Sequence, residues 1–136
     1  MCIRDRSKAN KLLIVIDESK LVKKLNQVFP LPVEVMPSAW NQVKDIILEM
    51  SGVSNLRMAT KKAGPVVTDQ GNLILDVLFD AGIKEPKDLE MRINNIPGVL
   101  ENGLFVDLAD KVLVGKLEDN VPVLFSPSRE LSLIHI

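Results

Sequence analysis

Four residues with chemical potential, Asp17-Glu18-Ser19-Lys20, directly follow an unbroken apolar stretch at 12–16 (LLIVI). A short continuous apolar run suits a strand buried on both faces, as in a parallel sheet. Ligands gather at the carboxyl ends of such strands. A lysine placed there meets a phosphate or an oxyanion as a compact point charge. On its own, Lys20 reads more readily as a solvated lysine at a helix start, because surface lysines rarely do chemistry. Lys61-Lys62 is a second cationic pair, and it reads as charge that keeps a neighbouring hairpin soluble. Trp40, near a helix start, is expected to pack. Met36, Met50, Met58 and Met91 are expected to fill gaps in a core rather than bind anything.

Other chemistries are excluded by what the 136 residues contain. There is no Gly-x-Gly-x-x-Gly and no Walker loop. The single histidine, His135, and the single cysteine, Cys2, leave no material for a multi-His or multi-Cys metal centre or an intrachain disulfide, and a Ser/His/Asp arrangement is not expected because His135 lies in the tail read as appended. Carboxylates are plentiful, yet none is paired in a context that predicts a shifted pKa. Lys plus Arg is 17 and Asp plus Glu is 18, a net charge of -1. That balance lacks the basic footprint of a nucleic-acid binder or of a polybasic membrane-surface protein. No apolar run is long enough to span a bilayer, and the first one lacks a signal-peptide cleavage site. A cytoplasmic location is expected, with no nucleic-acid or membrane partner.

The elements that must position these residues follow from pattern. After the first strand, Leu21, Val22, Leu25 and Val28 are spaced as one face of a short helix. The two prolines of Phe29-Pro30-Leu31-Pro32 forbid a helix and set a domain boundary. Residues 33–36 alternate as a strand. Ser38 is a plausible N-cap for a helix striped by Ala39, Val43, Ile46, Ile47 and Met50, with Gly52 as its stop. Residues 56–59 form a weak strand. Residues 66–77 (VVTDQGNLILDV) read as a hairpin turning at Asp69-Gln70-Gly71-Asn72. Pro86 opens a second helix carrying Leu89, Ile93 and Ile96. Strands are expected at 104–106, 112–114 and 121–125.

From 33 to 106 this order is a split β-α-β-β-α-β pattern. The expected fold class is α/β: a ferredoxin-like α+β small domain flanked by pieces of another α/β sheet. The divisions are 8–30 (strand and helix of a partial large domain), 31–107 (small domain) and 108–128 (strands returning to the large domain). Residues 1–7 and 129–136 look like appended sequence and are left out of the fold.

The segments 12–20 (LLIVIDESK), 29–37 (FPLPVEVMP), 66–76 (VVTDQGNLILD), 93–105 (INNIPGVLENGLF) and 109–115 (ADKVLVG) occur in the order and near the spacing of one family. The sequence resembles ribose-5-phosphate isomerase of the A type. The resemblance implies a Rossmann-like domain paired with a ferredoxin-like one. It implies interconversion of ribose 5-phosphate and ribulose 5-phosphate in the pentose phosphate pathway, without metal or organic cofactor. A carboxylate base moves a proton through an enediolate, and cationic and amide donors hold the developing oxyanion.

The family's Gly-Thr-Gly-Ser-type loop, its Asp-Gly-Ala-Asp segment and the Lys-Gly-Gly-Gly segment leading to its base are absent. All three precede the strand that matches 12–16, and only eleven residues stand there. The resemblance therefore covers the C-terminal part of the enzyme. Of the substrate contacts, only the lysine after the first matched strand carries over, onto Lys20, as a sugar-phosphate binder. No catalytic residue carries over, so neither Glu18 nor Glu34 is assigned as base. The intact family forms homo-oligomers. This chain alone is expected to be inactive and, with strand edges and apolar faces uncovered, to self-associate. The alternatives are a non-catalytic ferredoxin-like small-molecule-binding module and a sugar-phosphate-sensing relative of transcription regulators. The second would need a DNA-binding helix pair that the sequence does not show.

Overall fold

The structure, a computed structural model, describes residues 8–22, 24–61, 63–118 and 121–126. The segments 1–7 and 129–136 lie outside them. The chain divides into two units: one takes the residues up to Lys23 and from Phe105 onward, and the other is Lys24–Leu104.

The first unit is a three-stranded sheet of β1 (Leu13–Asp17), β6 (Lys111–Glu118) and β7 (Val121–Phe125), in the order β1-β6-β7. β1 pairs parallel with β6, and β6 pairs antiparallel with β7. The mouth of the parallel pair is clamped from both sides. The Leu12 N–H donates to the Asp110 carboxylate at 2.6 Å, and the Asp110 N–H returns to the Leu12 carbonyl at 2.9 Å. The expectation that β1 is buried on both faces needs correction. Leu13 and Val15 are 54% and 63% exposed, whereas Ile14 and Ile16 are half-buried.

The second unit is a four-stranded antiparallel sheet. Along the chain it runs β2 (Leu31–Val35), α1 (Trp40–Glu49), β3 (Gly52–Leu56), β4 (Leu73–Phe79), α2 (Pro86–Asn94) and β5 (Val99–Asn102). The spatial order β3-β4-β2-β5 is that of a split β-α-β-β-α-β domain. Alternation along β2 and β4 sends Val33, Val35, Leu75 and Val77 to one face. α1 lies against β3 and β4, and α2 against β5. Val43, Ile47 and Ile93 of the helices join those four strand residues as fully buried side chains. Truncating a large member such as Ile47 to Ala would cost about 2–5 kcal/mol.

Several local expectations shift. Among the described residues the short helix read over Ser19–Val28 does not form; a 3-10 turn, Glu18–Lys20, stands at its start. Asn26 is the reason. Its φ of 66° is left-handed, which ends helical continuity, and asparagine tolerates it better than most residues. Its side chain takes the place of a missing strand. β4 outruns its ladder with β2 at Val77. There the Asn26 amide donates to the Val77 carbonyl at 2.8 Å and accepts from the Phe79 N–H at 2.6 Å. Leu25 is buried through a bridge to Ile83, and the small unit accordingly starts at Lys24 rather than after Pro30. It also ends at Leu104, three residues before the expected Asp107.

Ser38 does not cap α1, whose N-cap is Ala39 without a side-chain bond. Ser51, at φ 65°, ends the helical segment, and Gly52 begins β3 instead. A methyl group at Gly52 would lie 2.8 Å from both Ile47 and Phe79, so the glycine permits α1 to approach β4. The strand expected at 56–59 is displaced to Gly52–Leu56, and the one expected at 104–106 to Val99–Asn102. The 66–77 hairpin survives as a turn with one bridge, Val67 to Leu73. β4 instead takes β2 and β3 as its partners, because those strands supply the buried apolar rows.

Ser54 buries its hydroxyl on β3 without a hydrogen-bond partner. Two substitutions should therefore move stability in opposite directions, read from urea unfolding midpoints. Asn26→Ala leaves the Val77 carbonyl and Phe79 N–H unmet and should cost about 3 kcal/mol. Ser54→Ala removes an orphaned polar atom and should be neutral or stabilising by up to about 1 kcal/mol.

Candidate functional site

The turn after β1 is built by its own polar residues. Asp17 keeps extended backbone at φ -86° and ψ 162° and closes the strand. Its carboxylate accepts from the Ser19 N–H at 2.9 Å and from the Ser19 hydroxyl. This side-chain mimic of a backbone turn folds Glu18–Lys20 into a single 3-10 turn, closed by the Leu21 N–H on the Glu18 carbonyl at 3.1 Å. Lys20 is thereby fixed in the last turn at the carboxyl end of a parallel-paired strand, half-buried, while Asp17, Glu18 and Ser19 are exposed. Gly115 is the register partner of Asp17. It carries no side chain, and a methyl there would approach only the Ile16 carbonyl, at 3.7 Å. The surface beside the turn is open at that point.

The Ser19 hydroxyl, then its N–H, then the charge of Lys20 hold the Asp17 carboxyl below the ordinary aspartate value of 3.8. A general base working near neutrality needs a shift the other way. Asp17 is therefore a structural cap, and the chemistry this turn offers is cationic: Lys20 can hold a phosphate or an oxyanion.

The other sequence candidates separate. Glu34 is committed to the 68–72 turn, its carboxylate accepting from the Thr68 hydroxyl at 2.8 Å and the Asn72 amide at 2.9 Å. Glu18 is exposed. Lys61 is exposed, and Lys62, Cys2 and His135 lie outside the described residues. Trp40 opens α1 half-buried. Met36, Met58 and Met91 are 48%, 59% and 58% exposed, which corrects their reading as core gap-fillers; Met50 is half-buried. Alternation puts Met36 past the end of β2, and Met91 falls off the α2 stripe that carries Ile93. Among the described residues, no three His, Cys, Asp or Glu side chains are grouped to hold a metal ion. Nor is any helix there long and apolar enough to cross a membrane.

Sequence reasoning missed three polar anchors. Asn26 ties the start of the small unit to β4. Asn102, 3% exposed, donates to Asn94 at 2.8 Å and accepts from the Leu104 N–H at 2.8 Å. Glu34 fixes the 68–72 turn. The sequence carried no signal for the first two, because Asn26 stands between Leu25 and Gln27 and Asn102 between Glu101 and Gly103, surroundings that read as ordinary turn chemistry.

The sequence model for ribose 5-phosphate isomerase A (phosphoriboisomerase A) matches residues 6–119. The chain belongs to this family. It is 94% identical over 123 residues to ribose-5-phosphate isomerase A of Prochlorococcus marinus subsp. pastoris, covering 90% of this chain and 53% of that protein. It is 76% identical to the enzyme of another Prochlorococcus marinus strain, with coverages of 90% and 52%. The solved structure of ribose 5-phosphate isomerase A from Methanocaldococcus jannaschii superposes with a TM-score of 0.79 at 46% identity, covering 90% of this chain and 52% of that one. A D-ribose-5-phosphate isomerase solved in complex with phospho-erythronic acid gives 0.80 at 39% identity, with the same coverages. The chain thus spans about half the length of the relatives it matches.

The Asp17 cap gives a pH prediction with a definite sign. Its folded pKa is depressed, so its contribution to the turn is present above the unfolded value and is lost as pH falls through the folded one. The turn should hold through neutrality and loosen only below about pH 4. In an NMR titration Asp17 should protonate below 3.8, and Ser19→Ala should return it toward that value.

Proposed function

We propose that this chain is the C-terminal part of a ribose-5-phosphate isomerase and that Lys20 holds the sugar phosphate. The parent reaction interconverts D-ribose 5-phosphate and D-ribulose 5-phosphate by proton transfer through an enediolate. The observation that supports this reading is the placement of Lys20 in a self-capped turn at the carboxyl end of β1, in a chain of this family. The ammonium binds and orients the substrate and offsets negative charge on its phosphate or on the enediolate oxygen. It does not abstract the proton. The carboxylate base belongs to motifs that this chain does not contain, and the chain by itself does not turn substrate over. The reaction needs no metal or organic cofactor. The intact enzyme is a cytoplasmic homo-oligomer that takes a small-molecule sugar phosphate and neither nucleic acid nor membrane.

The test uses the 94% identical Prochlorococcus relative. Lys→Ala at the position matching Lys20 should raise KM for ribose 5-phosphate by about 10- to 100-fold, the worth of one charge-assisted hydrogen bond. The pH profile should keep its shape, because the base is untouched. A KM unchanged within twofold, or the loss of one limb of the pH profile, would remove Lys20 from the phosphate site. This chain alone should show no turnover in the same coupled assay.

A further inference from the structure

Asn102-Gly103 is the only Asn-Gly pair in the sequence. An asparagine followed by glycine is especially prone to deamidate, because glycine neither shields its amide nitrogen nor restricts its rotation. The fold nevertheless needs both residues. Asn102, buried at the end of β5, donates to the Asn94 amide oxygen at 2.8 Å and to the Glu90 carbonyl at 3.5 Å. It also accepts from the Leu104 N–H at 2.8 Å. A carboxylate in its place could not donate. Gly103 lies against Pro32 of β2, where a methyl group would stand 2.7 Å from two carbons of the rigid ring. Packing and hydrogen bonding thus impose a chemically labile pair on this corner.

The same contacts mask the lability. Deamidation begins when the Gly103 nitrogen attacks the side-chain carbonyl carbon of Asn102. That nitrogen is held, its N–H donating to the Pro32 carbonyl at 2.8 Å. The amide it must reach is held at both ends, by Asn94 and by Leu104. Attack requires the side chain or the peptide plane to rotate, which breaks at least one of these bonds. The corner is also placed where the small unit opens most readily. β5 is an edge strand of four residues, and its ladder with β2 is irregular between Glu34 and Val35.

We propose that Asn102 is a modification site, a deamidation point that the closed β5–α2 corner masks and that each opening of β5 exposes to an irreversible step. In that step the Gly103 nitrogen forms a bond to the Asn102 side-chain carbon. The bond from that carbon to the side-chain nitrogen breaks, and the proton lost by the Gly103 amide leaves with ammonia. Water then opens the resulting succinimide at one of its two carbonyls, giving aspartate or isoaspartate, with no oxidation or reduction. Neither product rebuilds the corner. Each sets a carboxylate against the Glu90 carbonyl and beside Glu101, whose own carboxylate accepts from the Asn102 N–H at 3.0 Å. Isoaspartate also lengthens the backbone by one carbon just before the Gly103 N–H that meets Pro32. A transient opening of the edge is thereby converted into lasting damage to the small unit.

The experiment incubates the full chain at mildly alkaline pH, in buffer and in concentrated guanidinium chloride. Samples are digested with trypsin and read by mass spectrometry, each against its zero-time sample. The peptide 93–111 carries Asn94, Asn95 and Asn102 together, so the neighbouring asparagines serve as internal standards. In denaturant, conversion should concentrate at Asn102. In buffer it should be slower by about tenfold or more, equivalent to an opening free energy of at least about 1.4 kcal/mol. Asn94→Ala removes one hold on the amide at an exposed position. It should speed conversion in buffer by about fivefold, the worth of one hydrogen bond, and leave the rate in denaturant unchanged. Asn55→Ala, exposed on the opposite edge strand β3, should alter neither rate. Asn102→Asp, the direct product, should unfold at lower denaturant than the parent chain. Equal rates in buffer and denaturant, conversion as fast at Asn94 or Asn95, or a rate in buffer indifferent to Asn94→Ala would each overturn the masked site. An unchanged unfolding midpoint for Asn102→Asp would overturn the claim that the product cannot rebuild the corner.

Discussion

The parallel pairing of β1 with β6 is the constraint on which the candidate site depends. It joins Leu12 to Asp110 across 98 residues of sequence, and those residues include the whole second unit. Closing so long a loop costs conformational entropy that only a formed sheet returns. The pair is secured by a reciprocal clamp in which the Asp110 side chain and three backbone groups exchange hydrogen bonds at its mouth. Once β1 is held, Asp17 lies at its end, and Asp17 in turn folds the residues that carry Lys20. The lysine owes its position to this sequence of dependencies rather than to any property of its own.

The small unit solves a different problem. Its core of strand and helix residues is closed, and its irregular segments are held by polar side chains standing in for absent backbone partners. Asn26 completes the upper end of β4, Asn102 joins β5 to α2 and the chain beyond it, and Glu34 gathers the 68–72 turn. Arg57 adds a bidentate contact to Asp76 across the outer side of the β3-β4 pair. Burial of such groups is tolerated because their hydrogen bonds are met. Ser54 is the exception among the described residues.

Much of this was legible in the sequence, and the failures share a physical cause. The buried rows of β2, β4, α1 and α2 show plainly in period, because burial on one face imposes it. Pro86 marked the start of α2 for the backbone reason that proline tolerates a first helical position. The apolar spacing from Leu21 to Val28 misled because a local pattern cannot reveal a long-range bond. Asn26 answers to Val77 and Phe79, more than fifty residues away, and that tie overrides the helical period. Likewise, a continuous apolar run at 12–16 truly signals two apolar faces, but periodicity does not say whether this stretch of chain supplies what covers them. Lys20 could be singled out only through the resemblance. Nothing in its own spacing separates it from the surface lysines.

If Lys20 holds the phosphate, as proposed, the division of labour between binding and proton transfer follows from how such a reaction is catalysed. Proton transfer requires a base whose pKa and geometry are tuned to a carbon acid, whereas phosphate binding supplies energy that is independent of the reacting carbons. Binding energy of that kind can come from an element that merely arrives in the right place. A turn capped by its own aspartate and closed by the Leu21 N–H is well suited to this role, since those hydrogen bonds all lie within Asp17–Leu21. A base is not portable in the same way, because its pKa is set by what surrounds it in the finished site. On the proposed reading, the phosphate contact and the base can therefore lie on different stretches of one sequence.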